Sequence, residues 1–316
     1  MTGGCSLLTC TVDDERTFDR TDYESVRARW CPGCGDHSVL TAVQKLLAAE
    51  QLQPERTVFV SGIGCSSRFP HYLRTYGFHT LHGRALPVAT GIKLHRPDLD
   101  VFVVMGDGDC CSIGAAHWLH AIRYNVKMIA LLLDNNIYAL TKKQTSPTTQ
   151  QGVKSNTQPS GSYLPALNPL TVTLGVTNAS FVAQTVEWSP PHLEATLRAA
   201  FAHPGFAFVR VLQRCPAYMP ERFIDAVRDR SLMELLVHED GLDVPQLASL
   251  YTTQRRHDPS DLHAARRLAE DGDVIRAGIF YRDPSRPQYD QTRRQTARTA
   301  QEKIALLEKE FDRYAV

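Results

Sequence analysis

The sequence predicts an α/β protein built on a doubly wound, mainly parallel sheet, with a helical C-terminal extension. Three short apolar runs, Val101–Met105, Met128–Leu133 and Phe206–Leu212, have the length and composition of strands buried on both faces. Helical segments separate these runs, and strands that alternate with helices are typical of a parallel sheet covered on both sides. After about residue 220 charged residues become more frequent and long apolar runs disappear, which predicts the extension.

The composition is that of an ordinary globular protein. Of the 316 residues, 43% are hydrophobic and 22% are charged, and the formal net charge of +1 gives no sign of nucleic-acid binding. No apolar run approaches the roughly 18 residues that span a bilayer, so we expect no membrane association. The first residues lack the features of a signal peptide, so we expect a cytoplasmic protein with reduced thiols. The eight cysteines then require another explanation than disulfides.

Three regions divide the chain: a leader at 1–28, an α/β domain at 29–220 and the extension at 221–316. The elements expected in the domain, besides the three strands above, are helix Ser38–Glu50, strand Val58–Ser61, helix Ala89–Leu99, helix Ile113–Tyr124, strand Phe181–Val186 and helix Pro190–His203. In the extension we expect helices at Arg222–Val237 and Pro259–Glu270, a strand and turn at 278–284, and a long amphipathic helix at Gln291–Tyr314. The apolar face of the last helix (Ile304, Leu307 and Phe311) should pack on this domain or on a partner subunit.

Polar turns follow the two central strands. The turn 106–109 (GDGD) comes after the first and the turn 134–136 (DNN) after the second, so this is a βαβ unit whose strand ends meet at one edge. Asp107 and Asn135 offer a carboxylate and an amide oxygen, the hard ligands that suit Mg²⁺ bridging to a diphosphate. Glycines in the turn let backbone N–H groups approach that diphosphate closely. The alternative is an ordinary strand-to-helix turn capped by its aspartate.

Cysteines form a second candidate site. Cys31 and Cys34 lie in a C-x-x-C motif with Pro-Gly between them, a tight turn that points two sulfurs at one centre. A redox dithiol, half of a zinc site and half of an iron–sulfur site compete for this motif. No strand precedes it as in a thioredoxin-like dithiol, and no second C-x-x-C or histidine pair completes a zinc site. The single cysteines Cys65 and Cys215 would complete four thiolates, which suits a [4Fe–4S] cluster.

The other cysteines are weaker candidates. Cys5 and Cys10 lie in the leader and are poor ligand candidates. Cys110 and Cys111 follow the GDGD turn, and we expect them to be small core thiols.

Four motifs together carry a specific resemblance. In order they are WCPGCGDH at 30–37, SGIGCSSRFPHYLRTYGFHTLHGRALPVATG at 61–91, GDGD at 106–109 and DNNIYALTKKQTSPT at 134–148. Over about residues 28–220 the chain resembles the β subunit of 2-oxoacid:ferredoxin oxidoreductases, which bind thiamine diphosphate. The resemblance implies a sheet of the thiamine diphosphate-binding type and a domain at 29–220 that binds this cofactor and one [4Fe–4S] cluster.

The resemblance also assigns individual residues. Asp107 and Asn135 would bind Mg²⁺ by their side chains, and Ile137 by its carbonyl oxygen. The ligands of the [4Fe–4S] cluster would be Cys31, Cys34, Cys65 and Cys215. The residues that would contact thiamine diphosphate are Ile63, Gly64, Cys65, Ser66, His82, Gly106, Gly108, Asp109, Ala139 and Leu140.

Arg68 is a candidate for recognising the substrate. It lies three residues after Cys65, at the edge of the expected active site, and a guanidinium group binds carboxylates in a bidentate manner. We therefore expect it to bind a substrate carboxylate. An ion pair at the surface or at a subunit interface is the alternative.

The resemblance implies an enzyme that oxidises a 2-oxoacid with coenzyme A as co-substrate and ferredoxin as electron acceptor. The segment 65–85 is most similar to 2-oxoglutarate enzymes, with pyruvate and broad-range enzymes as the alternatives. An α subunit supplies the activating glutamate in this family, so we expect a chain that is inactive alone and a dimer of αβ units. Two alternatives are a non-catalytic iron–sulfur electron-transfer subunit and a zinc-stabilised thiamine decarboxylase.

Overall fold

The computed structural model describes residues 16–242, 244–248, 251–271, 274–293 and 299–314. A single sheet runs through these residues. Its strands are β1 (Thr57–Ser61), β2 (Tyr76–His79), β3 (Asp100–Gly106), β4 (Met128–Asp134), β5 (Phe181–Val186), β6 (Phe206–Leu212), β7 (Met233–Val237), β8 (Gln254–Arg256) and β9 (Ile275–Arg282). Their spatial order is β2-β1-β3-β4-β6-β5-β9-β7-β8, and all neighbours are parallel except β5 and β9.

Helices connect the strands and cover the sheet. They are α1 (Asp36–Ala49), α2 (Phe69–Tyr72), α3 (Ala85–His95), α4 (Ala115–Tyr124), α5 (Pro169–Gly175), α6 (Pro190–Ala202), α7 (Ile224–Arg228), α8 (Pro245–Ala248), α9 (Leu262–Glu270), α10 (Tyr289–Arg293) and α11 (Ala300–Asp312). A π-helical turn, Asp109–Ile113, precedes α4. The predicted fold class is confirmed: a mainly parallel sheet with helices, followed by C-terminal helices.

The central strands separate two apolar cores. On one face Val103 packs in a cluster with Trp118 of α4. On the other face Val104 packs in a cluster with Leu47 of α1. Because successive side chains of a strand point to opposite faces, a strand covered on both sides must be apolar throughout. Burying a side chain of this kind stabilises the fold by about 1.5–3 kcal/mol, so these cores hold the strand ends in place.

The helix predicted at Arg222–Val237 is wrong in its second half. The helix α7 ends at Arg228, where Asp229 adopts an extended conformation and its side chain accepts the backbone N–H of Ser231. The chain then continues as strand β7, which pairs with β9 and buries Met233. Pairing with a distant strand overrides the local helical pattern. The extension therefore continues the sheet, and its division from the domain at residue 220 stays a prediction.

The single helix predicted at Gln291–Tyr314 is also wrong. Thr299 is extended, and its hydroxyl accepts the backbone N–H of Glu302 while the Glu302 carboxylate accepts the N–H of Thr299. This capping box starts α11 as a helix of its own. None of the described α11 side chains is buried, so the domain itself does not cover the apolar face. Residues 294–298, like Cys5 and Cys10, lie outside the described residues.

Within the described ranges, no helix has the length and the apolar composition that crossing a membrane requires.

Candidate functional site

Four neighbouring strands end at one edge of the sheet, and the predicted site residues follow them. The strands β1, β3, β4 and β6 are adjacent and parallel. Cys65 follows β1, Asp107 follows β3, Asn135 follows β4 and Cys215 follows β6. Open α/β sheets bind ligands at this carboxyl edge. The strand order thus brings residues that are far apart in the sequence to one place.

A cavity of about 300 Å³ lies at this edge. Every residue predicted to contact thiamine diphosphate or Mg²⁺ lines it: Ile63, Gly64, Cys65, Ser66, His82, Gly106, Asp107, Gly108, Asp109, Asn135, Ile137, Ala139 and Leu140. Four further residues complete the lining: Leu133, Tyr138, Thr141 and Gln144. The structure therefore brings the predicted contacts together, while their roles toward a ligand stay predictions.

The segment after the cavity holds Asp107 in place. The hydroxyls of Ser146 and Thr148 donate to Asp107 Oδ2 at 2.5 and 2.6 Å. Burial raises the pKa of the Asp107 carboxyl, the nearby Asp134 carboxylate raises it further, and the two hydroxyl bonds lower it. One carboxylate oxygen is thus fixed by the protein, which orients the other.

Asp134 is a second carboxylate close to Asp107, and the guanidinium group of Arg210 balances its negative charge. Arg210 of β6 donates from Nε to Asp134 Oδ2 at 2.8 Å, and its Nη2 lies 2.6 Å from the same oxygen. The Thr148 hydroxyl lies 2.9 Å from Asp134 Oδ1. No described lysine or arginine forms an ion pair with Asp107 in the same way. A buried carboxylate without a cationic partner is costly, so a bound cation would stabilise Asp107 in its ionised form.

Asp109 ties two walls of the cavity together. Its Oδ1 accepts the backbone N–H of Ile63 at 3.2 Å and that of Gly83 at 2.7 Å. The same oxygen lies 2.5 Å from His82 Nδ1. Its other oxygen is buried and has no hydrogen-bond partner among the described residues. The carboxylate therefore fixes the turn after β1 against the turn that carries His82.

Gly108 is required by close packing. A Cβ atom at this position would overlap the ring of Tyr138, whose hydroxyl donates to the Gly108 carbonyl at 2.9 Å. The ring of His82 meets the same tyrosine edge-on, with centroids 5.9 Å apart. Tyr138 thus supports both the GDGD turn and His82 from one side of the cavity.

These residues fit Mg²⁺ and a diphosphate. Asp107 and Asn135 offer hard oxygen atoms at one strand edge, and the Ile137 N–H donates to Asn135 Oδ1 at 3.1 Å, which orients the amide. No three described His, Cys, Asp or Glu side chains are grouped to hold a metal ion by themselves. That is consistent with Mg²⁺, which proteins usually bind through one or two carboxylates together with phosphate oxygens and water.

Three chain segments bring the predicted cluster cysteines together. The C-x-x-C turn at 31–34 is tied to the segment after β6, because the Gly35 N–H donates to the Arg214 carbonyl at 3.2 Å. It is tied to the turn after β1 by the indole N–H of Trp30, which donates to the Cys65 carbonyl at 2.7 Å. Cys65 and Cys215 pack in one apolar cluster with residues of the cavity lining. Cys65 therefore belongs to both the cavity and the group of thiols.

The thiols share a buried environment. Burial raises the pKa of the Cys65 thiol to about 12, and the carboxyl of Asp36 and the neighbouring thiols contribute. Burial, followed by the effect of Asp36, raises the pKa of the Cys34 thiol. Burial also raises the pKa of Cys215. A metal that binds these thiols would have to displace their protons.

Four thiols from three segments would supply the donor set that a [4Fe–4S] cluster requires. Each of Cys34, Cys65 and Cys215 interacts electrostatically with other members of the group, and Cys31 with two of them. A four-iron cluster is larger than one ion, so its thiolates stand farther apart than the ligands of a single-ion site. The number of thiols and their shared environment fit such a cluster.

Arg68 does not line the cavity. Its Nη1 donates to the Arg29 carbonyl at 3.1 Å, and its guanidinium lies over the ring of Tyr72, 5.5 Å from the centroid. No ion pair joins it to an acid among the described residues. Its role toward a substrate carboxylate stays a prediction. The expectation for Cys110 and Cys111 is confirmed, since both are buried in the apolar core.

Sequence reasoning missed the residues that support the site. Ser146 and Thr148 lie in a polar segment rich in Gln, Thr, Ser and Lys, and such a composition assigns no role to a single hydroxyl. Arg210 is a single charge within an apolar strand, which was a signal of a buried ion pair. The buried side-chain amide of Gln213 lies 3.3 Å from Cys34 Sγ, and no sequence pattern indicated it.

Comparisons with known proteins find related sequences over most of the chain. Residues 62–211 match the family model described as the C-terminal TPP-binding domain of thiamine pyrophosphate enzymes, and residues 248–298 match the C-terminal model of the pyruvate ferredoxin oxidoreductase β subunit. The chain is 40% identical over 311 residues to the 2-oxoglutarate oxidoreductase subunit KorB of Mycobacterium tuberculosis, covering 90% of this chain and 82% of the relative. It is 38% identical over 262 residues to the β subunit of 2-oxoacid:ferredoxin oxidoreductase 1 of Aeropyrum pernix, covering 83% and 80%.

A solved structure is similar over nearly the whole chain. It is the 2-oxoglutarate:ferredoxin oxidoreductase from Magnetococcus marinus with 2-oxoglutarate, coenzyme A and succinyl-CoA bound. The TM-score is 0.77 at 36% sequence identity, and the match covers 93% of this chain and 97% of that chain.

Proposed function

Because the chain belongs to the family of 2-oxoacid:ferredoxin oxidoreductase β subunits, we propose that it serves a 2-oxoglutarate:ferredoxin oxidoreductase. With its α subunit it would convert 2-oxoglutarate, coenzyme A and two oxidised ferredoxins into succinyl-CoA, carbon dioxide, two reduced ferredoxins and a proton. The names of the Mycobacterium relative and of the Magnetococcus structure support 2-oxoglutarate as the substrate. Pyruvate and broad-range activity are the alternatives.

The position of Cys65 carries this proposal. Cys65 lines the cavity and also packs against Cys215. A cofactor in the cavity and a cluster on the four cysteines would therefore be neighbours, joined by one residue. That proximity suits an oxidation in which electrons pass one at a time from the cofactor site to the cluster. A decarboxylase without redox chemistry would not need a cluster beside its cofactor.

The residues divide the work between two sites. Asp107, Asn135 and the carbonyl of Ile137 would hold Mg²⁺, and the turn around Gly108 would receive the diphosphate. Thiamine diphosphate, when bound, supplies the electron sink that breaking the bond to the carboxyl carbon requires, because no amino-acid side chain delocalises that charge. The remaining contacts of the cavity lining fix the orientation of the cofactor and exclude water.

The cavity lacks one required group. Among the described acids only Asp107 and Asp109 line it, and both already accept hydrogen bonds from the chain. We infer that the carboxyl group that activates the cofactor comes from the α subunit, so the site is complete only at the interface between the subunits. The dimer of αβ units, ferredoxin as acceptor and the cytoplasmic location belong to the same proposal.

The test is an activity panel on the purified αβ complex and on this chain alone. We expect the complex to reduce a one-electron acceptor with 2-oxoglutarate and coenzyme A, at a higher kcat/KM than with pyruvate or 2-oxobutyrate. The chain alone should be inactive. A preference for pyruvate would move the assignment to the alternative substrate, and 2-oxoacid oxidation by the chain alone would contradict the shared site.

Metal analysis tests the cluster separately. One [4Fe–4S] cluster corresponds to about four iron and four sulfide per chain, with a brown absorbance band. Zinc in place of iron would contradict the redox assignment and favour a zinc-stabilised decarboxylase. Iron without thiamine diphosphate binding would favour an electron-transfer subunit.

A further inference from the structure

We propose that Gln213 is a positioning residue that sets the reduction potential of the iron–sulfur cluster, by donating its side-chain amide hydrogen to Cys34 Sγ. The inference rests on the proposed function, since it presumes that the four cysteines hold a [4Fe–4S] cluster.

The geometry of Gln213 is fixed from both ends. Its side chain is 1% exposed, and its backbone N–H donates to the Asp134 carbonyl at 3.0 Å. The side-chain Nε2 lies 3.3 Å from Cys34 Sγ and 3.4 Å from the Arg214 carbonyl oxygen. Both neighbours accept hydrogen bonds, so the amide nitrogen, and not the amide oxygen, faces them.

Close packing holds this arrangement. A Cβ atom at position 35 would lie 2.6 Å from Gln213 Cγ, so glycine leaves room for the side chain to reach Cys34. Gly35 also donates its N–H to the Arg214 carbonyl at 3.2 Å. The amide therefore has little freedom to turn away from the sulfur.

A donor at a ligand sulfur has a defined electrostatic effect. Reduction adds one negative charge to the cluster, and an N–H group that points at a sulfur stabilises that charge, which raises the reduction potential. Burial strengthens the effect because little water screens it. Asp36 contacts the same sulfur, since its Oδ2 lies 3.6 Å from Cys34 Sγ. A carboxylate there opposes reduction, so Gln213 acts against it.

Backbone N–H groups also act on two of these thiols. Those of Ala217, Tyr218 and Met219 work against the rise in the pKa of Cys215, and that of Asp36 works against the rise in the pKa of Cys34. A backbone N–H can be removed only by a proline substitution, which also changes the backbone conformation. Among the residues that the structure describes, Gln213 is the side chain that donates to a cluster sulfur, and this makes its contribution measurable.

The experiment is an anaerobic redox titration of the αβ holoenzyme, followed by the electron paramagnetic resonance signal of the reduced cluster. Gln213→Met keeps the length of the side chain and removes the donor. Gln213→Glu keeps the shape and replaces the donor with an acceptor. Gln44→Met is the matched control, because Gln44 is a 5% exposed glutamine about 12 Å along α1 from Asp36.

We expect the midpoint potential to shift to a more negative value in Gln213→Met and further in Gln213→Glu, with no shift in Gln44→Met. Thermal unfolding should show similar losses of stability in the two methionine variants, which separates the effect on the reduction potential from the effect on packing.

Unchanged potentials in both Gln213 variants would overturn the inference. Loss of the cluster from both Gln213 variants would also overturn the inference, because Gln213 would then be needed to hold the cluster and not to set its potential. Absence of iron and sulfide from the wild-type complex would instead refute the proposed function.

Discussion

The cavity at the sheet edge and the group of four cysteines (Cys31, Cys34, Cys65 and Cys215) differ in how the fold builds them. The anchor of the cavity comes from one βαβ unit, and Asp107 and Asn135 are only 2% and 7% exposed at the ends of adjacent strands. The cysteines come from three loops and range from the exposed Cys31 to the buried Cys215. The anchor residues of the first site are thus shielded from water and held by rigid strands, while the second site reaches from there toward the surface.

This difference suits a division of chemistry between the sites. A cofactor that develops negative charge requires a fixed and dry position. Electrons need a route from that position to the outside, and Cys65 joins the two sites. If the division is correct, each site can be removed without destroying the other.

The largest effect should come from the anchor. Asp107→Ala removes the carboxylate proposed to bind Mg²⁺, and we expect loss of thiamine diphosphate binding and of all 2-oxoacid oxidation. The iron content and the brown absorbance should stay at the wild-type level. Calorimetric titration with the Mg²⁺ complex of the cofactor measures the first effect. Asp240→Ala, at an exposed aspartate, is the control, and loss of iron from the Asp107 variant would contradict the separation.

The converse change should remove the cluster alone. Cys34→Ala leaves three thiols, and we expect loss of cluster iron and of ferredoxin reduction, with thiamine diphosphate binding retained. The matched control is Cys110→Ala, because the Cys110 side chain is fully buried in the apolar core. It should keep its iron and lose about 1 kcal/mol of stability. Equal iron content in the two variants would show that Cys34 is not a ligand.

Removal of a supporting hydroxyl should weaken the anchor without abolishing it. Thr148→Val keeps the shape of the side chain but deletes the bond to Asp107. Partners that orient a metal ligand typically contribute about 10- to 100-fold in metal affinity. We expect a loss of Mg²⁺ affinity in that range, measured by the Mg²⁺ dependence of cofactor binding. Thr173→Val, at a buried threonine of α5 that bonds the Pro169 carbonyl, should leave the affinity unchanged.

The smallest effect concerns the substrate. If Arg68 binds the distal carboxylate, a charge-assisted hydrogen bond of about 1.5–3 kcal/mol is lost in Arg68→Gln. The kcat/KM for 2-oxoglutarate should then fall roughly tenfold or more, with little change for 2-oxobutyrate. Arg74→Gln, at an exposed arginine, is the control. Equal losses for both substrates would rule out the recognition of the carboxylate by Arg68.

The same contrast explains what the sequence predicts and what it does not. Asp107 and Asn135 follow apolar runs directly, so local pattern alone locates them at the sheet edge. Cys215 lies far along the chain from Cys65, and the residues alone name it as a candidate fourth thiol without placing it near the others. Only the pairing of β4 with β6 brings its segment to the cavity, and the resemblance to a known family was needed to anticipate this.

The supporting contacts lie beyond sequence reasoning for a physical reason. The hydroxyls of Ser146 and Thr148 reach Asp107 because a segment of turns folds back over the strand end, and no periodicity fixes such a path. Strand β7 was mistaken for a helix because its partner β9 lies some 40 residues later. In contrast, the capping box at Thr299 and Glu302 is a local signal that could have divided the last helix correctly.

Substrate-driven reduction of the cluster tests most directly whether the two sites form one redox centre. The αβ complex, loaded with Mg²⁺ and thiamine diphosphate, is mixed anaerobically with 2-oxoglutarate and coenzyme A in the absence of ferredoxin, and the absorbance and paramagnetic resonance of the cluster are recorded. We predict that the brown absorbance bleaches and the signal of the reduced cluster develops in the wild-type complex but not in Asp107→Ala. A cluster that stays oxidised in the wild-type complex, or that is reduced equally in the variant, would contradict a shared centre.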